Sequence, residues 1–144
     1  MKIEYRKGDL FSTECKYIVH GCNAQGVMGS GVAKIVRDKY PEAYQEYLRM
    51  FRTEGDLVLG DVIWAESNGK FIGNAITQEF YGTDQRHVSY DAVAHVMWEI
   101  NTITTIKEVA MPKIGAGLAN GDWNVIAAII ESELKRVKPI VYEL

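Results

Sequence analysis

The residues best placed to do chemistry lie between His20 and Ala33, which reads His-Gly-Cys-Asn-Ala-Gln-Gly-Val-Met-Gly-Ser-Gly-Val-Ala. His20 carries an imidazole, which titrates near neutrality and can protonate a leaving hydroxyl or orient an attacking water. A core histidine bonded to a neighbouring carbonyl fits the same sequence equally well. Gly21, Gly26, Gly29 and Gly31 admit positive φ and let backbone N–H groups approach a ligand. If a helix starts at Gly31, its free N–H groups and partial positive charge suit a phosphate. Glycines alone also fit a plain tight turn, and the spacing matches neither G-x-G-x-x-G nor G-x-x-x-x-G-K-[ST]. A second glycine turn, Pro112-Lys-Ile-Gly-Ala-Gly-Leu118, repeats the theme. Cys15 and Cys22 read as reduced thiols, Cys22 as a small buried filler rather than a nucleophile. No Cys/His spacing suggests a metal site or a cofactor, so a metal-independent reaction is implied.

These residues need elements to hold them. Lys2 to Tyr5 alternates as an edge strand, and Gly8 to Ser12 follows as a turn. Tyr17 to Cys22 is a strand with Ile18 and Val19 at its centre. Val32, Ile35 and Val36 recur at helical spacing over Gly31 to Lys39. Pro41 suits the first turn of another helix, whose Tyr44, Tyr47, Leu48 and Phe51 share a face. A strand around Val62-Ile63-Trp64, an Asn68-Gly69 hairpin and a strand from Lys70 to Ile76 come next. The helix opening near Val88 carries Val93, Val96, Met97 and Ile100. Val109 to Met111 is a short buried strand, Asp122 caps a helix carrying Ile126 and Ile130, and Pro139 to Leu144 is a final strand. Strands interleaved with helices imply a mostly parallel or mixed sheet covered on both faces. Ligands of such sheets bind beyond the carboxyl ends of the strands. Both glycine turns follow strands, and two convergent cradles suit a diphosphate.

Composition narrows the function classes. The chain has 144 residues, 47% of them hydrophobic, enough for one domain with a real core. Its formal net charge is -3 with scattered Lys and Arg, so no basic face announces nucleic-acid binding. The first residues lack a signal-peptide core, and no apolar run approaches the ~18 residues of a membrane helix. A cytoplasmic protein is expected, with a monomer as the default assembly.

Lys7-Gly-Asp-Leu-Phe11, Ile18-Val-His-Gly-Cys-Asn23, Gly29-Ser-Gly-Val-Ala33, Met111 to Leu118 with Trp123, and Val141-Tyr-Glu-Leu144 together resemble a macro domain. The resemblance spans the chain in the right order. It is nearest to the compact branch that includes ADP-ribose-1''-phosphate phosphatases and terminal ADP-ribose protein glycohydrolases. It implies an α/β fold of three layers, α/β/α, with a six-stranded mixed sheet, and ADP-ribose or its 1''-phosphate as the small-molecule ligand. By this resemblance Asp9, with Leu10 beside it, takes the adenine, the carboxylate accepting from the adenine amine. Asn23 holds the distal ribose. Gly26, Met28, Gly29, Ser30, Gly31 and Val32 form the loop over the diphosphate and distal ribose. Ile114, Gly115, Ala116, Gly117 and Leu118 form the second diphosphate loop, and Tyr142 borders the adenine. His20 matches a histidine of the phosphatase-type members, which makes His20 and Asn23 the candidate catalytic residues.

The departures from the branch matter for mechanism. Deacylating glycohydrolases use a lysine after the central strand and an aspartate after the second glycine loop. The matching positions here are Gln78 and Ala119, which can supply neither a nucleophilic amine nor an acid. Three readings follow, in this order: a phosphatase acting on ADP-ribose 1''-phosphate, a non-catalytic ADP-ribose reader, and a hydrolase removing ADP-ribose from protein or nucleic acid by other residues. His87, in the polar loop after Thr83, and His95 carry less weight.

Overall fold

Ile18, Val19, Ile72, Ala75, Ile76, Val109, Ala110 and Met111 are all fully buried. Strands with adjacent residues buried in this way must be covered on both faces. The computed structural model, which describes residues 1–82, 84, 87–117 and 119–144, shows how. Strands β1 (Glu4–Lys7), β2 (Tyr17–Asn23), β3 (Val62–Ser67), β4 (Lys70–Gln78), β5 (Glu108–Met111) and β6 (Lys138–Glu143) form one sheet in the order β1-β6-β5-β2-β4-β3. All pairings are parallel except β3 with β4. Asn68 and Gly69 join that pair with φ of 49° and 76°, as a two-residue hairpin requires.

Helices α1 (Gly31–Lys39) and α2 (Pro41–Glu54) cover one face, and α3 (Tyr90–Thr102) and α4 (Trp123–Glu133) the other. Ile18 and Ile72 pack with Val36, Tyr40 and Ala43 on the first face. Val19, Ala75, Val109 and Met111 pack with Val93, Val96, Met97, Ile126 and Ile130 on the second. Each such side chain contributes roughly 1.5–3 kcal/mol by leaving water. Local signals set the helix ends. The Asp122 carboxylate accepts from Asn124 N at 2.9 Å, and Ser89 Oγ accepts from Ala92 N at 3.1 Å.

The first strand begins two residues later than its alternation predicts. Ile3 is buried against the α3/α4 side, and its N–H donates to Glu131 Oε2 at 2.8 Å, so the chain start is held by α4 rather than by β6. Among the described residues, no helix is long and apolar enough to cross a membrane. The five parallel strands end at the same edge of the sheet. There the chain leaves β2 for α1 on one face and β5 for α4 on the other, the divergence that opens a ligand crevice.

Candidate functional site

A cavity of about 460 Å³ occupies that crevice. Its walls are the end of β2 (Gly21, Cys22, Asn23), the first glycine turn with the start of α1 (Gly29 to Ala33), the segment after β4 (Gln78, Tyr81, Gly82) and the second glycine turn with Ala119. The two glycine turns therefore face one another across a single space. Gly31 enters α1 at φ 62°, a conformation that glycine adopts without strain. Ser30, at the N-cap, makes no side-chain bond to the first turn, so those N–H groups are left to a ligand. A side chain at Gly21 would stand 2.9 Å from Thr77 Oγ1, so the cavity floor requires glycine there.

Asn23 lines the cavity, but its side chain is largely committed to the turn. Its Nδ2 donates to Val27 O at 2.8 Å, and its Oδ1 accepts from Gln25 N at 2.9 Å and from the Tyr47 hydroxyl at 2.9 Å. The same Tyr47 hydroxyl proton is shared with Asn23 O at 2.6 Å, so a fully buried tyrosine of α2 fixes the turn from below. A register shift accompanies this. Cys22 pairs with Ile76 and Asn23 with Gln78, which makes Thr77 the extra residue of a bulge and re-aims the strand end.

The structure places His20 away from the cavity. Its side chain is fully buried and is not part of the cavity wall. It points into the layer between the sheet and α2, on the same side as Cys22, as the period of two requires. Asn74 Nδ2 donates to Ala43 O at 3.1 Å, which leaves Asn74 Oδ1 to accept from His20 Nε2 at 2.7 Å. The Nε2–H tautomer is thereby assigned, and the Cys22 thiol lies 3.8 Å from Nδ1. Burial pushes the imidazole down to about 4, so it is neutral near pH 7, and the Asn74 bond offsets this only in part. Burial raises the Cys22 thiol, which is therefore inert. His20 thus belongs to a buried polar network with Asn74 and lies outside the cavity wall.

Other expected contacts divide between cavity and core. Gly29, Ser30, Gly31, Val32, Ile114, Gly115 and Gly117 line the cavity. Met28 does not: it is buried against Tyr47 and Ile76 beneath the turn. Gly26, at φ 77°, backs onto Phe51 rather than the cavity. Ala116 packs against the α3/α4 core, and Leu118 lies outside the described residues. Asp9 and Tyr142 stand away from this cavity, toward β1 and β6. Asp9 is exposed and caps a short 3₁₀ turn, its Oδ1 accepting from Phe11 N at 2.9 Å. Tyr142 donates its hydroxyl to Thr13 Oγ1 at 2.9 Å and packs with buried Leu10.

Sequence reasoning missed Lys113, the only charged side chain among the described residues that line the cavity. Its signal was a lysine inside the second glycine turn, directly after Pro112. Its ammonium pairs with Glu143 Oε2 at 2.9 Å and lies 5.9 Å from the Trp123 ring centre. Tyr81 was missed too; it is 59% exposed and stands at the cavity rim. His87 is more enclosed than its polar loop suggested. Its side chain is 6% exposed, with Nε2 bonded to Asp84 Oδ1 at 2.9 Å. His95 lies outside the site, its Nδ1 bonded to Gly60 O at 2.9 Å.

An α/β/α sandwich with two facing glycine turns beyond its parallel strands is an arrangement that suits an anion. The macro domain family model matches residues 19–130, and the chain belongs to that family. A phage T4 protein known as the uncharacterized 17.5 kDa protein in the tk-vs intergenic region is 30% identical, covering 99% of this chain and 97% of the phage protein. The ADP-ribose 1''-phosphate phosphatase of Scheffersomyces stipitis is 27% identical, covering 90% and 93%. Among solved structures, a protein of unknown function from Bacteroides thetaiotaomicron superposes with a TM-score of 0.88 at 30% identity, over 100% of this chain and 99% of that one.

Proposed function

We propose that this macro domain binds ADP-ribose and releases phosphate from ADP-ribose 1''-phosphate. The observation that carries the reading is the single cavity walled by both glycine turns, whose only described charge is a lysine. That wall offers backbone N–H donors and one cation to a diphosphate and presents no described carboxylate to repel it. Asp9, exposed beyond the cavity, is the adenine acceptor in this reading, and the second Nδ2–H of Asn23, the one not given to Val27 O, donates to the distal ribose. In hydrolysis a water oxygen bonds to phosphorus as the bond to the ribose oxygen breaks. One water proton stays on the phosphate and the other ends on the ribose. Backbone donors at the strand ends stabilise the charge that develops. Without His20 in the wall, turnover rests on positioning and is expected to be slow.

A non-catalytic reader is the second reading, and the burial of His20 is what favours it. Calorimetric titration with ADP-ribose, followed by a phosphate-release assay on ADP-ribose 1''-phosphate with and without a chelator, separates the two. Binding with release supports the phosphatase; binding without release makes the protein a reader; no binding removes both. Asp9→Ala should weaken ADP-ribose by roughly 1.5–3 kcal/mol, the range for a hydrogen bond to a charged group. Its melting temperature should change little, because the lost cap serves only a three-residue turn. Unchanged affinity would move the adenine elsewhere.

A further inference from the structure

Lys113 and Glu143 form an ion pair between the cavity and the turn that carries Asp9. Lys113 belongs to the cavity wall, and its side chain is 40% exposed; that of Glu143 is 33% exposed. The main chain fixes Glu143 beside the first turn, because Gly8 N donates to Glu143 O at 2.8 Å and Lys7 pairs with Glu143 across β1 and β6. If the diphosphate fills the cavity and the adenine meets Asp9, the nucleoside ribose must cross the strip that this pair occupies. An ammonium beside a diphosphate and a carboxylate beside a vicinal diol are each chemically matched partners. A partly exposed ion pair is cheap to open, so a ligand can replace it.

We infer that the pair is exchanged when a nucleotide binds. Lys113 turns to the phosphates, and the freed Glu143 carboxylate accepts from the 2′- and 3′-hydroxyls of the adenosine ribose. The exchange rests on the ADP-ribose reading above and adds specificity for a ribonucleotide end. It also makes the site read the phosphate and the neighbouring ribose together, because each takes one member of the pair.

The test titrates ADP-ribose, ADP and 2′,3′-dideoxy-ADP into the wild type, Glu143→Ala and Lys113→Met by calorimetry, at low and raised ionic strength. The wild type should bind ADP at least about tenfold more tightly than the dideoxy analogue, which lacks both hydroxyls that the carboxylate takes, since one charge-assisted hydrogen bond alone gives about that factor. Glu143→Ala should bind the two alike. Lys113→Met should weaken both about tenfold and flatten the salt dependence. Melting temperatures should stay at the wild-type value, since both side chains are partly exposed and the Glu143 carbonyl bond to Gly8 is kept. If Glu143→Ala still prefers ADP, or Lys113→Met binds as the wild type does, the exchange is wrong while the ADP-ribose reading stands. If the wild type binds none of the three ligands, both fall.

Discussion

Gly115→Val should destabilise the protein by roughly 2–6 kcal/mol, a large share of the 5–15 kcal/mol that usually holds a domain together. Family resemblance alone would place the added side chain against the diphosphate. The structure turns it the other way: a β-carbon at Gly115 would stand 2.6 Å from Val88 Cγ2 and 3.1 Å from Ile126 Cδ1. Two costs combine. A β-branched residue at φ 78° is strained by about 1–3 kcal/mol, and overpacking a filled core adds about 1–3 more. Thermal unfolding followed by circular dichroism would show the loss. The control is Gly117→Val, at a cavity-lining position where an added β-carbon meets nothing within 4 Å. That variant should keep its melting temperature and lose ADP-ribose affinity. Equal melting temperatures for Gly115→Val and the parent would contradict the packing of this turn.

Stability should also fall steeply with acid because of His20. Its folded value is lowered from 6.5 to about 4 by burial, so between those values the unfolded chain binds a proton that the folded chain does not. The stabilisation is complete above pH 6.5 and is lost progressively as pH falls towards 4. One pKa unit corresponds to about 1.36 kcal/mol, so the shift amounts to about 3 kcal/mol across the window. Urea unfolding at several pH values, compared between the parent and His20→Gln, isolates the effect from surface carboxylates such as half-buried Glu46 and exposed Asp84, which both proteins share. The parent curve should slope and the variant curve should be flatter by that amount. Parallel curves would mean that His20 reaches water. Phosphate release cannot test this placement, because His20→Gln can lower activity through stability alone.

The sequence by itself determined what depends on neighbours along the chain. Asn68-Gly69 makes its hairpin because only such residues take two positive φ values in succession. Pro41 starts α2 where its missing N–H costs nothing, and Asp122 caps α4 through the amide two residues on. The alternation of strands and helices, the two glycine turns and their place at strand ends were legible for the same reason, whereas the family resemblance rested on five ordered motifs from Lys7-Gly-Asp-Leu-Phe11 to Val141-Tyr-Glu-Leu144.

What only the tertiary structure decided is direction. Both faces of the central parallel strands are buried, so periodicity assigns His20 and Cys22 to a common face without saying what lies over it. The partner that settles it, Asn74, is 54 residues away on β4. Lys113 gained its place through Glu143, the last residue of β6, and Gly115 turned its α-carbon towards Val88 and Ile126 of a core assembled from α3 and α4. Contacts between elements far apart in sequence are set by packing, which no local pattern encodes.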